Sequence, residues 1–214
     1  MVHASAPARP QNGNKVIHFL RHGQTAMNVY LSNYPYQSKA FVDPLYYDTR
    51  LTDAGRQQAA AVAPAAKGLH PPPEVLIVSP LSRALDTAEL AFAAVDCPRV
   101  IQPLAAERIW LSSDLGRRSS ILAEEYPHHC FEHVPEIWWH NNGHEDENHI
   151  APETVEQFLA RMHRLRDYLA ERPEQSIGVV AHWGVLEALT GREFQNCELW
   201  SCNHDQLVVQ TRCT

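Results

Sequence analysis

The sequence predicts an α/β fold in three layers, with a mainly parallel, open sheet that has helices on both faces. Short apolar runs at 16–20, 75–78 and 177–181 are typical of buried strands. Stretches of helical length and composition lie between these runs. Because strands that alternate with helices are typical of parallel sheets, we expect one α/β domain over 15–214, a length that suits a single core.

The first part of the chain combines a strand, an irregular segment and a helix. The strand is predicted over 15–20. Residues 29–50 contain five tyrosines and no clean period, so we predict a long loop or short irregular helices that cap a functional site. Thr52 is the expected N-cap of a helix that runs to about Leu69, and Pro64 should kink or shorten that helix.

The next helix is predicted to begin at Ser79-Pro80. A serine hydroxyl can cap a helix, and proline suits the first helical position. We expect this helix to end near Val95. A strand over 100–104 then leads to Glu107.

The second half of the chain opens with another irregular segment, over 108–150, which we also predict to cap the functional site. Pro152 opens the clearest helical pattern of the chain, in which apolar residues recur at i, i+3, i+4 and i+7. The strand at 177–181 is followed by a helix that begins near Gly184. The last strand is predicted at 206–210.

Four polar side chains follow four different predicted strands, namely His22, Arg83, Glu107 and His182. The carboxyl ends of parallel strands meet at one edge of the sheet, where open α/β folds bind their ligands. Arg21 and His22 stand side by side before a glycine, which lets an anion approach closely. The sequence therefore predicts one site for an anionic ligand, such as a phosphate ester, at this edge.

Several motifs resemble those of the histidine phosphatase superfamily, also called phosphoglycerate mutase-like proteins, and they occur in the order found in that family. They are Arg21-His22-Gly23-Gln24-Thr25 with Asn28, then 51–59, 79–88, Glu107-Arg108 and 180–184. Further segments resemble a branch of these proteins that is common in plants, algae and fungi. They lie at 43–49, 114–119, 138–139 and 196–199.

The resemblance implies phosphoryl transfer through a phosphohistidine at His22. Arg21, Arg83 and His182 would surround the phosphoryl oxygens, and Glu107 would serve as general acid and then as general base. The remaining predicted phosphate-binding residues are Gly23, Gln24, Thr25 and Asn28. The expected activity is a metal-independent phosphatase that needs no cofactor and acts on a small phosphorylated metabolite.

Other functions stay open. Mutases of this family carry a tyrosine-glycine extension after the acid, and Ile-Trp-Leu at 109–111 replaces it here, which favours hydrolysis. A protein phosphatase would suit a more open cavity, and a phosphate-sensing module would not need an intact catalytic set. His128, His129, Cys130 and His133 are potential zinc ligands, but their spacing fits no standard zinc pattern, so we expect no metal.

Composition limits the partners and the compartment. The formal net charge of −7 disfavours nucleic acid and anionic membranes as partners. Five cysteines without a Cys-x-x-Cys pair, and no apolar leader segment, predict free thiols in the cytoplasm. Residues 1–14 are rich in Ala, Pro, Asn and Gly and are expected to form a disordered tail. The sequence leaves the oligomeric state open.

Overall fold

Five strands form the sheet at the centre of the fold in this computed structural model, which describes residues 15–144 and 146–211. The strands are β1 (Val16–Arg21), β2 (Val75–Val78), β3 (Arg99–Ile101), β4 (Ser176–Ala181) and β5 (Leu199–Asn203). Their order across the sheet is β3-β2-β4-β1-β5. The first four are parallel, and β5 runs antiparallel to β1 at the edge. The predicted mainly parallel sheet is therefore confirmed. The predicted tail at 1–14 lies outside the described residues.

Helices cover both faces of this sheet. They are α1 (Ala26–Asn33), α2 (Asp53–Lys67), α3 (Ser82–Ala91), α4 (Ser119–Glu125), α5 (Val155–Glu171) and α6 (Trp183–Thr190). Buried residues of α3 and α4 form one apolar cluster with one face of the sheet, and α2 contributes to the same cluster. Buried residues of α5 and α6 form a second cluster with the other face. The three-layer prediction is confirmed.

Alternate residues of the strands divide between the two clusters. In β2, Leu76 and Val78 pack with the α3 cluster, whereas Val75 and Ile77 pack with the α5 cluster. All four side chains are fully buried. Because successive side chains of a strand point to opposite faces, a continuous apolar run is required where helices cover both faces.

Two helices follow their predictions closely. Thr52 is the N-cap of α2, because its Oγ1 accepts a hydrogen bond from the Gly55 N–H at 3.0 Å. Pro64 lies in the last turn, and α2 ends at Lys67. The predicted periodic helix is α5, which begins after its N-cap Thr154 rather than at the predicted Pro152.

The predicted start of α3 is wrong. The helix begins at Ser82, because the Asp48 carboxylate accepts a hydrogen bond from the Ser82 N–H at 2.8 Å. Ser79 does not cap this helix. Its hydroxyl lies 2.7 Å from Nε2 of His182. The helix also ends at Ala91, before the predicted Val95.

The last two predicted strands need correction. The strand predicted at 100–104 is shorter, since a 3-10 turn begins at Pro103. Residues 206–210 form no strand, and the edge strand is β5 instead. The main chain of Val208 donates to the carbonyl of Leu189 at 2.9 Å, so this segment docks on the end of α6.

Both segments predicted as irregular contain short helices. Helix α1 extends into the segment at 29–50, and α4 lies within 108–150. In the first segment, Tyr30 contacts the rings of Tyr34 and Tyr46, and Tyr36 contacts those of Phe41 and Trp110. Across the residues that the structure describes, no helix combines the length and apolarity that crossing a membrane requires.

Candidate active site

Loops and helices at the carboxyl ends of β1, β2, β3 and β4 line a cavity of about 560 Å³. Its wall includes Arg21, His22, Thr25, Asn28, Arg83, Glu107, Arg108, Trp110, Asp114 and Phe158. His182 lies against this wall, with its ring centroid 5.1 Å from that of His22. The parallel sheet therefore brings together the polar side chains that follow separate strands, as expected at this edge.

His22 is held as a neutral imidazole with one defined tautomer. Its Nδ1 lies 2.8 Å from the Gly23 carbonyl oxygen, which can only accept, so Nδ1 carries the proton. Nε2 therefore keeps its lone pair. Burial, and then the charges of Arg83 and Arg21, hold the pKa of His22 well below its ordinary value of 6.5. This is the state that a nucleophilic histidine requires.

Two arginines bring fixed positive charge beside His22. The Arg83 side chain is buried and donates to the Ser113 carbonyl oxygen at 2.5 Å and to the Asp114 carboxylate at 3.2 Å. Arg21 donates from Nη1 to the Phe194 carbonyl oxygen at 2.6 Å. These contacts orient both guanidinium groups, and guanidinium N–H groups match the oxygens of a phosphoryl group.

His182 presents a buried donor beside His22. Ser79 Oγ lies 2.7 Å from Nε2 of His182, and the hydroxyl can donate there. Nδ1 of His182 then carries the proton, and it has no hydrogen-bond partner in the described part of the chain. Burial, and then Arg83, hold the pKa of His182 well below 6.5. A buried donor without a partner is costly, and a bound anion would satisfy it.

Glu107 is fixed by two main-chain donors. Its Oε1 accepts from the Arg108 N–H at 2.9 Å, and its Oε2 accepts from the Gly184 N–H at 3.1 Å. A Cβ atom at position 184 would lie 2.6 Å from Oε1 of Glu107. Only glycine at position 184 leaves room for the Glu107 carboxylate at the start of α6. This contact joins α6 to the segment after β3.

The loop after His22 contributes through its main chain and its cap. The Thr25 Oγ1 accepts from the Asn28 N–H at 3.2 Å, and the Asn28 Oδ1 accepts from the Thr25 N–H at 3.1 Å. Together these two hydrogen bonds cap α1. The Oδ1 of Asn28 also accepts from Asn196 Nδ2 at 3.2 Å. The Thr25 N–H and the Asn196 Nδ2 thus both donate to the side-chain oxygen of Asn28. The Nδ2 of Asn28 is therefore the group suited to donate to an anion in the cavity.

Gly23 and Gln24 do not belong to the cavity wall. The Gly23 N–H donates to Thr87 Oγ1 at 3.0 Å, and the Gln24 N–H donates to Gln58 Oε1 at 3.0 Å. A Cβ atom at position 23 would lie 2.6 Å from the Gly55 carbonyl oxygen. These two predicted phosphate-binding residues thus fasten the loop to α2 and α3.

The structure adds Asp114 to the residues found from the sequence. Burial raises the pKa of Asp114 to about 6, although Arg83 acts to lower it. The carboxylate also accepts from the Leu111 N–H at 3.0 Å, so it orients Arg83 from a fixed turn. Asn196 was missed as well, and it donates to the His22 carbonyl oxygen at 2.9 Å. Neither residue follows a predicted strand; the only sequence signal is that each begins a segment, 114–119 or 196–199, that resembles a branch of the family.

Acid should destabilise the protein through its buried histidines. Burial is the first cause that lowers the pKa of His18, His22 and His182. Below about pH 6.5 the unfolded chain binds these protons first, so the free energy of unfolding should fall by up to about 1.4 kcal/mol per histidine per pH unit. Asp114, whose pKa is raised to about 6, opposes this trend between about pH 6 and 4.

Urea unfolding midpoints measured from pH 7 down to about pH 5 test this expectation. The His18→Gln variant should lose part of the pH dependence, and replacement of the exposed His163 by alanine is the matched surface control. A midpoint that stays constant over this range would contradict the expectation.

Comparisons with known proteins identify the family. A family model for the histidine phosphatase superfamily (branch 1) matches residues 17–210. None of the curated proteins compared with the chain matches it.

Solved structures of this fold include phosphatases and a mutase. Alpha-ribazole phosphatase from Shigella flexneri matches with a TM-score of 0.59 at 19% identity, over 91% of this chain and 94% of that one. Mycobacterial glucosyl-3-phosphoglycerate phosphatase matches with a TM-score of 0.54 at 20% identity, over 87% of this chain and 92% of that one. Phosphoglycerate mutase from Bacillus anthracis matches with a TM-score of 0.57 at 17% identity, over 94% of this chain and 93% of that one.

At these identities the structural similarity establishes the shared fold, and the family match rests on the sequence of nearly the whole chain. The resemblance to a branch from plants, algae and fungi stays a prediction. The protein belongs to branch 1 of the histidine phosphatase superfamily.

Proposed function

We propose that this protein is a metal-independent phosphatase that hydrolyses phosphate monoesters of small metabolites through a phosphohistidine on His22. The observation that carries the proposal is the Nε2 atom of His22, which keeps its lone pair because Nδ1 bonds the Gly23 carbonyl oxygen. Arg21 and Arg83 line the same cavity as His22 and their charges act on its ring, so they would supply the positive charge that a metal ion would otherwise provide.

In the first half-reaction, Nε2 of His22 attacks phosphorus. The N–P bond forms as the ester P–O bond breaks, and protonated Glu107 gives its proton to the leaving alcohol oxygen. Arg21, Arg83 and the Nδ1–H of His182 would stabilise the charge on the phosphoryl oxygens. Asn28 would donate from its Nδ2.

In the second half-reaction, ionised Glu107 takes a proton from water as that water attacks phosphorus. The N–P bond breaks, inorganic phosphate forms, and His22 regains its lone pair. Glu107 is protonated again, which restores the starting state. The same carboxyl group thus serves both steps, as acid and then as base.

A small substrate suits the cavity, since its volume of about 560 Å³ lies within the range of small-molecule sites. Four large aromatic side chains belong to the wall, namely Tyr36, Trp110, Phe158 and Trp183. Such walls bind the organic part of a metabolite. The partner we propose is therefore a small phosphorylated metabolite, and we propose a cytoplasmic location from the free-thiol pattern of the sequence.

Arg108 supports a substrate with a second anionic group. Its guanidinium is buried at 4% exposure, stacks 4.0 Å from the Trp110 ring centroid, and has an Nη1 atom without a hydrogen-bond partner within the described residues. We expect Arg108→Met to raise KM at least about tenfold for phosphate esters that carry a second anionic group. It should change KM for p-nitrophenyl phosphate little. Exposed Arg164, changed to Met, is the control, and equal effects on both substrates would contradict this role.

Hydrolysis of p-nitrophenyl phosphate from about pH 4 to 8, with and without EDTA, tests the proposed function. We expect activity that EDTA leaves unchanged. A panel of phosphorylated metabolites would then identify the substrate, and transfer between the positions of phosphoglycerate would separate a mutase from a phosphatase. EDTA-sensitive activity, or phosphoryl transfer that outpaces hydrolysis, would contradict the proposal.

A further inference from the structure

A second cluster of ligand-type side chains lies on the outer side of α3. Glu89 belongs to α3, and His128 and His129 belong to the turn after α4. One ligand atom from each residue, a carboxylate oxygen or a ring nitrogen, falls within 4.8 Å of the others. None of the three lines the catalytic cavity.

His129 is the member that its protein surroundings leave unsatisfied. Its side chain is only 2% exposed, and its Nε2 lies 3.5 Å from Oε1 of Glu89. Throughout the described residues this Nε2 finds no hydrogen-bond partner. The Nε2 of His128 makes a close contact with the same carboxylate oxygen. An ion pair between Glu89 and His128 explains that contact, but within the described residues it leaves the buried nitrogen of His129 without a hydrogen bond.

We propose that Glu89, His128 and His129 bind one divalent ion of the zinc class. Two imidazole nitrogens and one carboxylate oxygen are ligands that Zn²⁺ accepts, and water can complete four-coordination. Imidazole favours Zn²⁺, Cu²⁺ or Ni²⁺ over Mg²⁺ and Ca²⁺, which prefer oxygen ligands. The ion would satisfy the buried nitrogen of His129 and share the carboxylate between both histidines.

The proposed ion would join the turn after α4 to α3. Glu89 lies six residues after Arg83, which places it about 9 Å further along the helix axis. The metal would therefore act on stability and not on the phosphoryl group. Asp96 and Arg99, which carry opposite charges, line the adjacent groove.

Isothermal titration calorimetry of the untagged, full-length protein with Zn²⁺ tests this proposal. We expect one equivalent to bind, and loss of a ligand should weaken binding at least about tenfold, because even outer-shell partners contribute roughly 10–100-fold. Glu89→Gln and His128→Ala are the variants of choice, since both side chains are partly exposed and should tolerate replacement. Zn²⁺ should also raise the unfolding temperature of the wild type but not that of Glu89→Gln.

Two controls separate this site from others. His163→Ala removes an exposed histidine elsewhere, and His22→Ala removes the histidine of the catalytic cavity. Both should bind Zn²⁺ as the wild type does. The proposal is overturned if the wild type binds no zinc, or if Glu89→Gln and His128→Ala bind it as tightly as the wild type. None of these readouts requires phosphatase activity, so they are independent of the proposed function.

Discussion

Replacement of His22 by alanine should abolish turnover, with a loss of at least about 10⁴-fold in kcat. Nε2 of His22 is the atom that we propose to form the bond to phosphorus, and no water can substitute for it at the same position with the same nucleophilicity. The loss should be the same for p-nitrophenyl phosphate and for metabolite esters, because both need the nucleophile. Initial rates at saturating substrate measure the effect.

The fold should survive this change. The side chain is buried, so alanine leaves a small cavity and removes the hydrogen bond to the Gly23 carbonyl oxygen. We expect a loss of stability of about 1–3 kcal/mol, which circular dichroism and thermal unfolding can follow. His163→Ala should keep wild-type turnover. A folded His22→Ala variant that retains most of its activity would remove the phosphohistidine mechanism.

Replacement of Glu107 by glutamine should slow hydrolysis to an extent that depends on the leaving group of the substrate. Glutamine has similar size but cannot give up a proton at neutral pH. The value of kcat/KM, which reports the first half-reaction, should fall by about 10²- to 10⁴-fold for alkyl phosphates. It should fall much less for p-nitrophenyl phosphate, because nitrophenolate leaves without a proton.

A series of aryl and alkyl phosphates measures this difference as a leaving-group slope. The slope for Glu107→Gln should be steeper than that for the wild type. Because Glu107 accepts from the N–H groups of Arg108 and Gly184, a second variant, Glu107→Asp, checks whether the loss comes from altered position. Parallel losses for good and poor leaving groups would assign the acid role to another residue.

Much of the site could be predicted because each key side chain follows its own buried strand. The apolar runs fix β1, β2 and β4, and parallel packing then brings Arg21, His22 and His182 to one edge. That inference needs only local patterns and the rule that connects parallel strands through helices.

Contacts that are distant in sequence limited the remaining predictions. Ser79 has the local features of an N-cap, but Asp48, 34 residues before Ser82, provides the capping carboxylate instead. Asp114 reaches Arg83 from a segment 31 residues away. Such pairs depend on where an irregular loop packs, and no periodic pattern reports this.

The edge strand shows the same limit. The sequences at 199–203 and 206–210 both contain apolar residues in short runs, and an edge strand that is only half buried carries a weak pattern. The chain turns after α6, where Gly191 adopts a positive φ of 70°. From there the chain reaches β1 over 199–203, and the later segment docks on α6.

Detection of the phosphoenzyme tests the central claim most directly. The wild type and Glu107→Gln would be mixed with p-nitrophenyl phosphate and quenched in alkali, which preserves phosphohistidine. The mass of each intact protein would then be measured by mass spectrometry. Glu107→Gln should accumulate a species heavier by one phosphoryl group, because it lacks the base for the second half-reaction, and peptide mapping should place that group on His22. Release of nitrophenol without any such species in either protein, or a phosphoryl group on another residue, would contradict the account.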